Sequence, residues 1–258
     1  MIVIQNPLSY PNYPRIAYQN FVSSATLTAS SAATGFAANN LKNPLTWNFW
    51  RPSSVTATME FNLGAVRTVD YCGIAAHNCG TKGNTITLEY WDGDSWVTID
   101  THVPTDDSVI LFLFDPILAQ VFRLSISGGT APTISTVYMG QALVSQRSMY
   151  VGHTPITLNQ KHVVRPQRSE GGQWLGRSVI RQAAQANIAL KHLTAAWVRT
   201  YLEPFIESAV NYPFFFAWRP TEFPAEVGYC WTGDDIVPQN TGPRDLMSVA
   251  FTVDGIIE

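Results

Sequence analysis

The chain has 258 residues and a net charge of −3, with 46% of residues hydrophobic and only 14% charged. That balance excludes a disordered chain and allows one large domain or two of ordinary size. The 16 Lys and Arg form no basic run, which excludes a nucleic-acid-reading face. No stretch approaches the ~20 apolar residues that insert into a membrane.

Cys72, Cys79 and Cys230 are too few, and odd in number, for a disulfide framework, so buried thiols and a reducing folding compartment are expected. The opening Met1-Ile-Val-Ile-Gln-Asn-Pro7 lacks the basic flank and the apolar length of a signal peptide, and the expectation is a soluble protein.

Residues 1–22 carry Pro7, Pro11, Pro14 and several tyrosines without periodicity and read as an extended arm or edge strand. Residues 23–145 read as a succession of short strands. Met59–Leu63 alternates apolar and polar, and Val69–Ala76 is more continuously apolar, as a central strand should be. Thr85–Trp91 and Ser95–Ile99 flank Asp92-Gly93, a hairpin signal in which both turn positions are expected at positive φ. Val109–Phe114 and Val121–Ile126 supply two more strands, and no helix of ordinary length interrupts them, so this part is a β-sandwich or barrel.

Residues 146–258 read differently. Arg147–Gly176 is polar, with Pro155, Pro166 and Gly171-Gly172, and is expected to be linker and loops. Ala184, Ala186, Ile188 and Leu190 alternate as in a strand. Thr194 can cap a helix near 195–209 that Pro204 should kink or divide. Pro213–Trp218, Glu226–Trp231 and Leu246–Val253 complete the strands, so the fold class is mainly β with one flanking helix.

Catalytic and cofactor motifs are weak. Gly171-Gly-Gln-Trp-Leu-Gly-Arg177-Ser178 has phosphate-loop spacing except that Arg177 replaces the required Lys, and no hydrophobic strand precedes it. Cys72, His77 and Cys79 lie close together but lack a fourth ligand for a closed zinc site, so they read as core residues and no metal is assigned. Asp106-Asp107 and Asp234-Asp235 point apart on strands or lie in loops, and no Gly-x-Ser-x-Gly elbow occurs. No enzyme activity and no cofactor are expected. The positive signal is aromatic: 8 Trp, 10 Tyr and 13 Phe, with Trp47, Asn48, Trp50 and Arg51 together in the Asn39–Ser54 segment. A loop tryptophan can stack on a sugar ring while Asn and Arg bond its hydroxyls, although a tryptophan at a sandwich mouth is more often a core plug.

Ala38-Asn-Asn-Leu41, Trp50-Arg-Pro-Ser53, Met59-Glu-Phe-Asn-Leu-Gly64, Tyr90-Trp-Asp-Gly-Asp-Ser-Trp96 and Val121-Phe-Arg-Leu-Ser-Ile126 together resemble the discoidin (factor 5/8 type C) pattern. The resemblance covers roughly residues 20–145 and implies a β-sandwich that binds surface ligands such as glycans. Lys42 stands where many members carry an Asp near a calcium ion, a departure that argues against calcium here. Tyr150–Leu158, Arg168–Ser178, Phe214–Pro220, Glu226–Thr232 and Asn240–Met247 resemble the conserved end of tail proteins from long-tailed bacteriophages and prophages. That likeness implies a distal-tail or tail-tube-like β-sandwich or barrel that assembles as a ring, with a hexamer favoured.

The expected function is a structural component of a phage tail tip or baseplate, located in the virion tail. Residues 146–258 would form the ring and 23–145 would display a module that binds host surface glycan. The alternative is a free carbohydrate-binding or adhesive protein. Trp47, Asn48, Trp50 and Arg51 are the glycan candidates, and Trp174, Phe214 and Arg219 the ring-interface candidates. Expected partners are the chain itself, the tail tube, the tape-measure protein and the tail-tip hub.

Overall fold

The computed structural model describes residues 1–149, 152–242 and 244–257. Tyr150, Val151 and Pro243, which belong to stretches quoted above, lie outside the described residues. The chain is mainly β. In order come β1 (Ile2–Ile4), β2 (Arg15–Ala17), β3 (Thr26–Ala29), β4 (Ala57–His77) and β5 (Thr85–Trp91). Next are β6 (Trp96–His102), β7 (Ile110–Ser127), β8 (Ile134–Gly140), β9 (Leu143–Val144) and β10 (Gln160–Arg168). After β11 (Trp174–Thr194) comes the helical segment, α1 (Ala195–Trp197), a π turn (Val198–Leu202) and α2 (Glu203–Ala209). The last strands are β12 (Phe214–Ala217), β13 (Val227–Thr232), β14 (Gln239–Asn240) and β15 (Leu246–Ile256).

The strands expected separately at 59–63 and 69–76 are one strand, β4, and those at 109–114 and 121–126 are likewise one, β7. Their pairing slips between Asn62 and Arg67 and again between Val69 and Tyr71, and the exposed Gly64–Arg67 stretch marks the bend. Each long strand therefore serves two layers. The outer layer joins β3, the first half of β4, the second half of β7, β5 and β6. The inner layer joins β8, the second half of β4, the first half of β7 and β1. Met59, Phe61, Phe122 and Leu124 face Cys72, Ile74, Phe112 and Val137 across the sandwich core, which the 3-10 turns at Phe21–Ser24 and Ala38–Lys42 close with Val22 and Leu41.

The inner layer is buried on both faces. Because side chains alternate along a strand, Tyr71, Ala75, Leu111, Leu113 and Tyr138 point away from the sandwich core and meet Ala17, Phe215, Ala217, Val227 and Tyr229. Those five belong to the second sheet, ordered β10-β11-β15-β13-β12-β2-β9. Phe214 and Phe216 point the other way, into a third core with Ile188, Leu202, Phe205 and Phe251 beneath the helix. The run Phe214-Phe-Phe-Ala is apolar throughout for that reason: both of its faces are covered. Residues 1–22 supply one strand to each sheet, β1 to the first and β2 to the second.

Two expectations need correction. The Arg147–Gly176 stretch is not all linker and loops, because Gln160–Arg168 pairs along most of its length with β11 as a hairpin. The Asp92-Gly93 turn is a four-residue loop in which Asp92 Oδ1 accepts from the Asp94 and Ser95 amides, and of the two residues only Gly93 has positive φ. The helix is divided just before Pro204, as expected, by the π turn at Val198–Leu202. Thr194 caps it, its hydroxyl accepting from the Trp197 amide at 3.3 Å, and the π turn sets the proline in the first turn of α2, where no N–H is missed.

Gly73 is a point of close approach between the two sheets, since a Cβ there would lie 2.6 Å from the buried Phe215 ring. Overpacking of this kind costs about 1–3 kcal/mol. Gly73→Ala is expected to lower stability to urea by that amount, and Phe215→Leu in the same chain should recover part of it. Additive losses in that double-mutant cycle would count against the contact.

Candidate functional site

The expected glycan candidates lie on one loop, but their side chains divide. Trp50 is fully buried: its indole N–H donates to Ser31 O at 3.0 Å and its backbone bridges Ile134. Phe36 and Phe49 stack with centroids 4.8 Å apart, and Asn40 Nδ2 donates to Phe49 O at 2.9 Å. From the far side of the loop, Tyr229 on β13 donates its hydroxyl to Pro44 O at 2.9 Å. Both ends of the loop are thus held, and between them Trp47 stands 74% exposed. Arg51 is exposed and Asn48 half-buried beside it. A flat indole, an amide and a guanidinium on a fixed frame can stack on a ring and bond hydroxyls.

Lys42, at the calcium position of the resemblance, is half-buried in a cleft with Tyr18, Tyr138 and Tyr212. Among the described residues no group of three or more His, Cys, Asp or Glu could hold a metal. His77 is instead a strut. Its Nδ1 accepts from the Cys79 amide at 3.2 Å, so Nε2 carries the proton and donates to Ser108 O at 2.9 Å. Burial lowers its pKa, and burial pushes the Cys79 thiol up to about 12, which keeps both neutral.

The three ring-interface candidates differ in exposure. Phe214 is fully buried under the helix, 4.9 Å from Phe205. Arg219 is paired with Glu222 at 2.6 Å and lies over Trp218 and Phe223. Trp174 is 69% exposed at the start of β11.

Two constellations were not anticipated. On the open face of the outer layer the Arg123 guanidinium lies 4.0 Å from the Trp96 ring centroid and donates from Nε to Glu89 at 2.8 Å. Ser125 donates to the same carboxylate, and Trp91 meets Trp96 edge-on at 5.3 Å. Burial alone would raise the Glu89 pKa, but the bonds from Arg123 and Ser125 bring it below its ordinary value. The signal was present in Trp91 and Trp96, which flank the hairpin loop and so must be cross-strand partners. The second constellation is a cavity of about 450 Å³ between the sheets, lined by Tyr10, Tyr13, Arg15, Asp70, Asp115 and Trp197 among others. Arg15 Nη2 donates to Ser9 O at 2.7 Å while its buried Nε has no partner. Burial raises the Asp70 carboxyl to about 6, against the Ala142 amide and Arg15, which lower it.

No protein-family model and no curated protein matches the chain. Among solved structures, CpGH89CBM32-5 from Clostridium perfringens, in complex with GalNAc-β-1,3-galactose, aligns at 13% identity and TM-score 0.43 over 48% of this chain and 100% of its own. Chitosan-binding module 1 of a chitosanase/glucanase from Paenibacillus sp. IK-5 aligns at 20% identity and TM-score 0.41, over 48% of this chain and 99% of its own. The family 32 carbohydrate-binding module of C. perfringens NanJ, in complex with galactose, aligns at 16% and TM-score 0.42, over 49% and 98%.

Two outcomes follow from the geometry. Trp50→Ala should lose about 3–5 kcal/mol, as a buried aromatic does, whereas Trp47→Ala should stay within about 0.5 kcal/mol in chemical denaturation. The raised Asp70 pKa means the folded chain holds that proton more tightly than the unfolded one. Its stabilising share is therefore full below pH 3.8 and lost as pH rises through about 6. Relative to wild type, Asp70→Asn should gain about 2–3 kcal/mol between pH 4 and pH 7. Parallel pH–stability curves for the two proteins would contradict this.

Proposed function

We propose that the chain is a structural component of a phage tail tip or baseplate, seated in the virion tail, that displays a discoidin-like glycan-binding module. The observation that carries the binding reading is Trp47, 74% exposed on a loop whose two ends are fixed by Trp50 and Tyr229. Such a platform loses little entropy on meeting a rigid sugar ring. Asn48 and Arg51 are the neighbours suited to hydroxyls. One platform binds weakly, and several copies on one particle multiply the affinity without a new contact.

The assembly reading rests on the tail-protein resemblance of residues 147–258 and on a second sheet whose β10–β11 end is exposed. Copies would close into a ring, with a hexamer favoured, between tail tube, tape-measure protein and tail-tip hub. No catalysis and no resident cofactor is part of the proposal.

Surface plasmon resonance on immobilised host glycans tests the first half. Trp47→Ala and Arg51→Ala should each weaken binding at least tenfold while melting as wild type does. Unchanged binding by both would remove the loop as the platform. Electron microscopy and sedimentation of the purified protein test the second half. A closed ring is expected, and a monomer at every concentration would leave a free carbohydrate-binding protein as the better account.

A further inference from the structure

The projecting part of the β10–β11 hairpin has no core. Residues 160–168 are exposed along the whole of β10. β11 finds a second neighbour, β15, only from Ala184 onward. Residues 161–168 and 174–183 thus stand clear of the rest of the sheet, a reach of about 30 Å at the usual rise per residue. A two-stranded ribbon alone is marginal in water. Yet Val163, Val164, Trp174, Leu175, Val179 and Ile180 are each between 38% and 69% exposed on it.

Charge says what could cover them. Lys161, Arg165, Arg168, Arg177 and Arg181 against Glu170 give residues 160–182 a net +4 in a chain of −3, so the remaining residues sum to −7. No basic run shows in sequence because the hairpin turn folds two sparse stretches side by side. Pro166 and the charges along β10 block open-ended strand addition at its edge, so contact must come through the faces. A phosphate backbone would satisfy the arginines and leave the valines, isoleucine and tryptophan in water. The surface required is acidic and apolar together, and the helix of this same chain has one. Glu203 and Glu207, four residues apart, are exposed there on one flank with Val210, which is 72% exposed, and Arg199 stands one turn before Glu203.

We propose that the Gln160–Ala183 hairpin is an assembly arm that lies across the acidic, apolar face of the Ala195–Ala209 helix of a second copy of this chain. The proposal rests on the assembly reading above and names its contact. A head-to-tail contact of this kind is heterologous, and it closes into a ring when the rotation between copies permits.

The test is a charge swap on the full chain, read by sedimentation equilibrium. Arg165→Glu/Arg168→Glu/Arg177→Glu should weaken self-association at least tenfold, as should Glu203→Lys/Glu207→Lys. An equimolar mixture of the two variants, in which a reversed arm meets a reversed helix, should associate again. Val164→Ser/Val179→Ser keeps the arm's charge and should also weaken association, which guards against a variant lost to misfolding. If wild type assembles and the arm variants assemble equally well, the arm proposal falls and the ring reading stands; if wild type is monomeric throughout, both fall. Arm-dependent binding to duplex DNA or to phosphatidylserine vesicles, with self-association unchanged, would overturn the second-copy assignment in favour of that ligand.

Discussion

Everything in this molecule hangs on a sheet layer with no free face. β4 passes from the outer to the inner layer, and once there it presents Cys72 and Ile74 to one core and Tyr71, Gly73 and Ala75 to another. Phe215 of the second sheet fills the hollow over Gly73. A side chain larger than hydrogen at 73 would press into that ring, so the missing Cβ is one condition of the close packing between the sheets. The two halves are accordingly not beads on a linker, since the interface is continuous core and the chain crosses it repeatedly. β1 and β2 lie only eleven residues apart in sequence yet belong to different sheets.

That interface reaches the candidate site. Tyr229 belongs to the second sheet, but its hydroxyl holds Pro44 at the start of the Trp47 loop. The Trp47 loop is therefore positioned by both halves, and the proposed assembly through the second sheet would present every copy of Trp47 in one orientation. For a weak ligand this matters more than the affinity of a single site, because avidity is lost when geometry forbids simultaneous engagement.

What could be read from sequence divides along burial. Runs with one buried face, such as Met59–Leu63 and Thr85–Trp91, write their period in the residues, and Thr194 announced its helix through a capping hydroxyl. Gln160–Arg168 wrote nothing, because a strand exposed on both faces has no reason to alternate and Pro166 reads as a breaker. The joining of two short apolar runs into one bent strand was equally silent, since the exposed bend at 64–67 looks like a turn. At the site, Trp47 and Trp50 are indistinguishable in sequence. Their fates separate only when Ser31, 19 residues from Trp50, offers its carbonyl to that indole.

The polar atoms within the shared layer explain why the sheets meet in one register rather than sliding. Apolar contact is non-directional, and an interface of alanine, leucine and phenylalanine alone would tolerate small shifts. Tyr71 donates to Gln19 O across the junction, and the hydroxyls of Tyr138 and Tyr229 lie 3.4 Å apart with Pro44 O as the further acceptor. Burial raises the pKa of each of these tyrosines, so they remain donors. A slide of one sheet over the other would carry these hydroxyls away from their acceptors and leave buried donors without partners, a loss of roughly 1–3 kcal/mol for each. The hydrophobic layer thus supplies the attraction and the tyrosine tips supply the alignment, and the fixed bearing of the Trp47 loop is a consequence of the second.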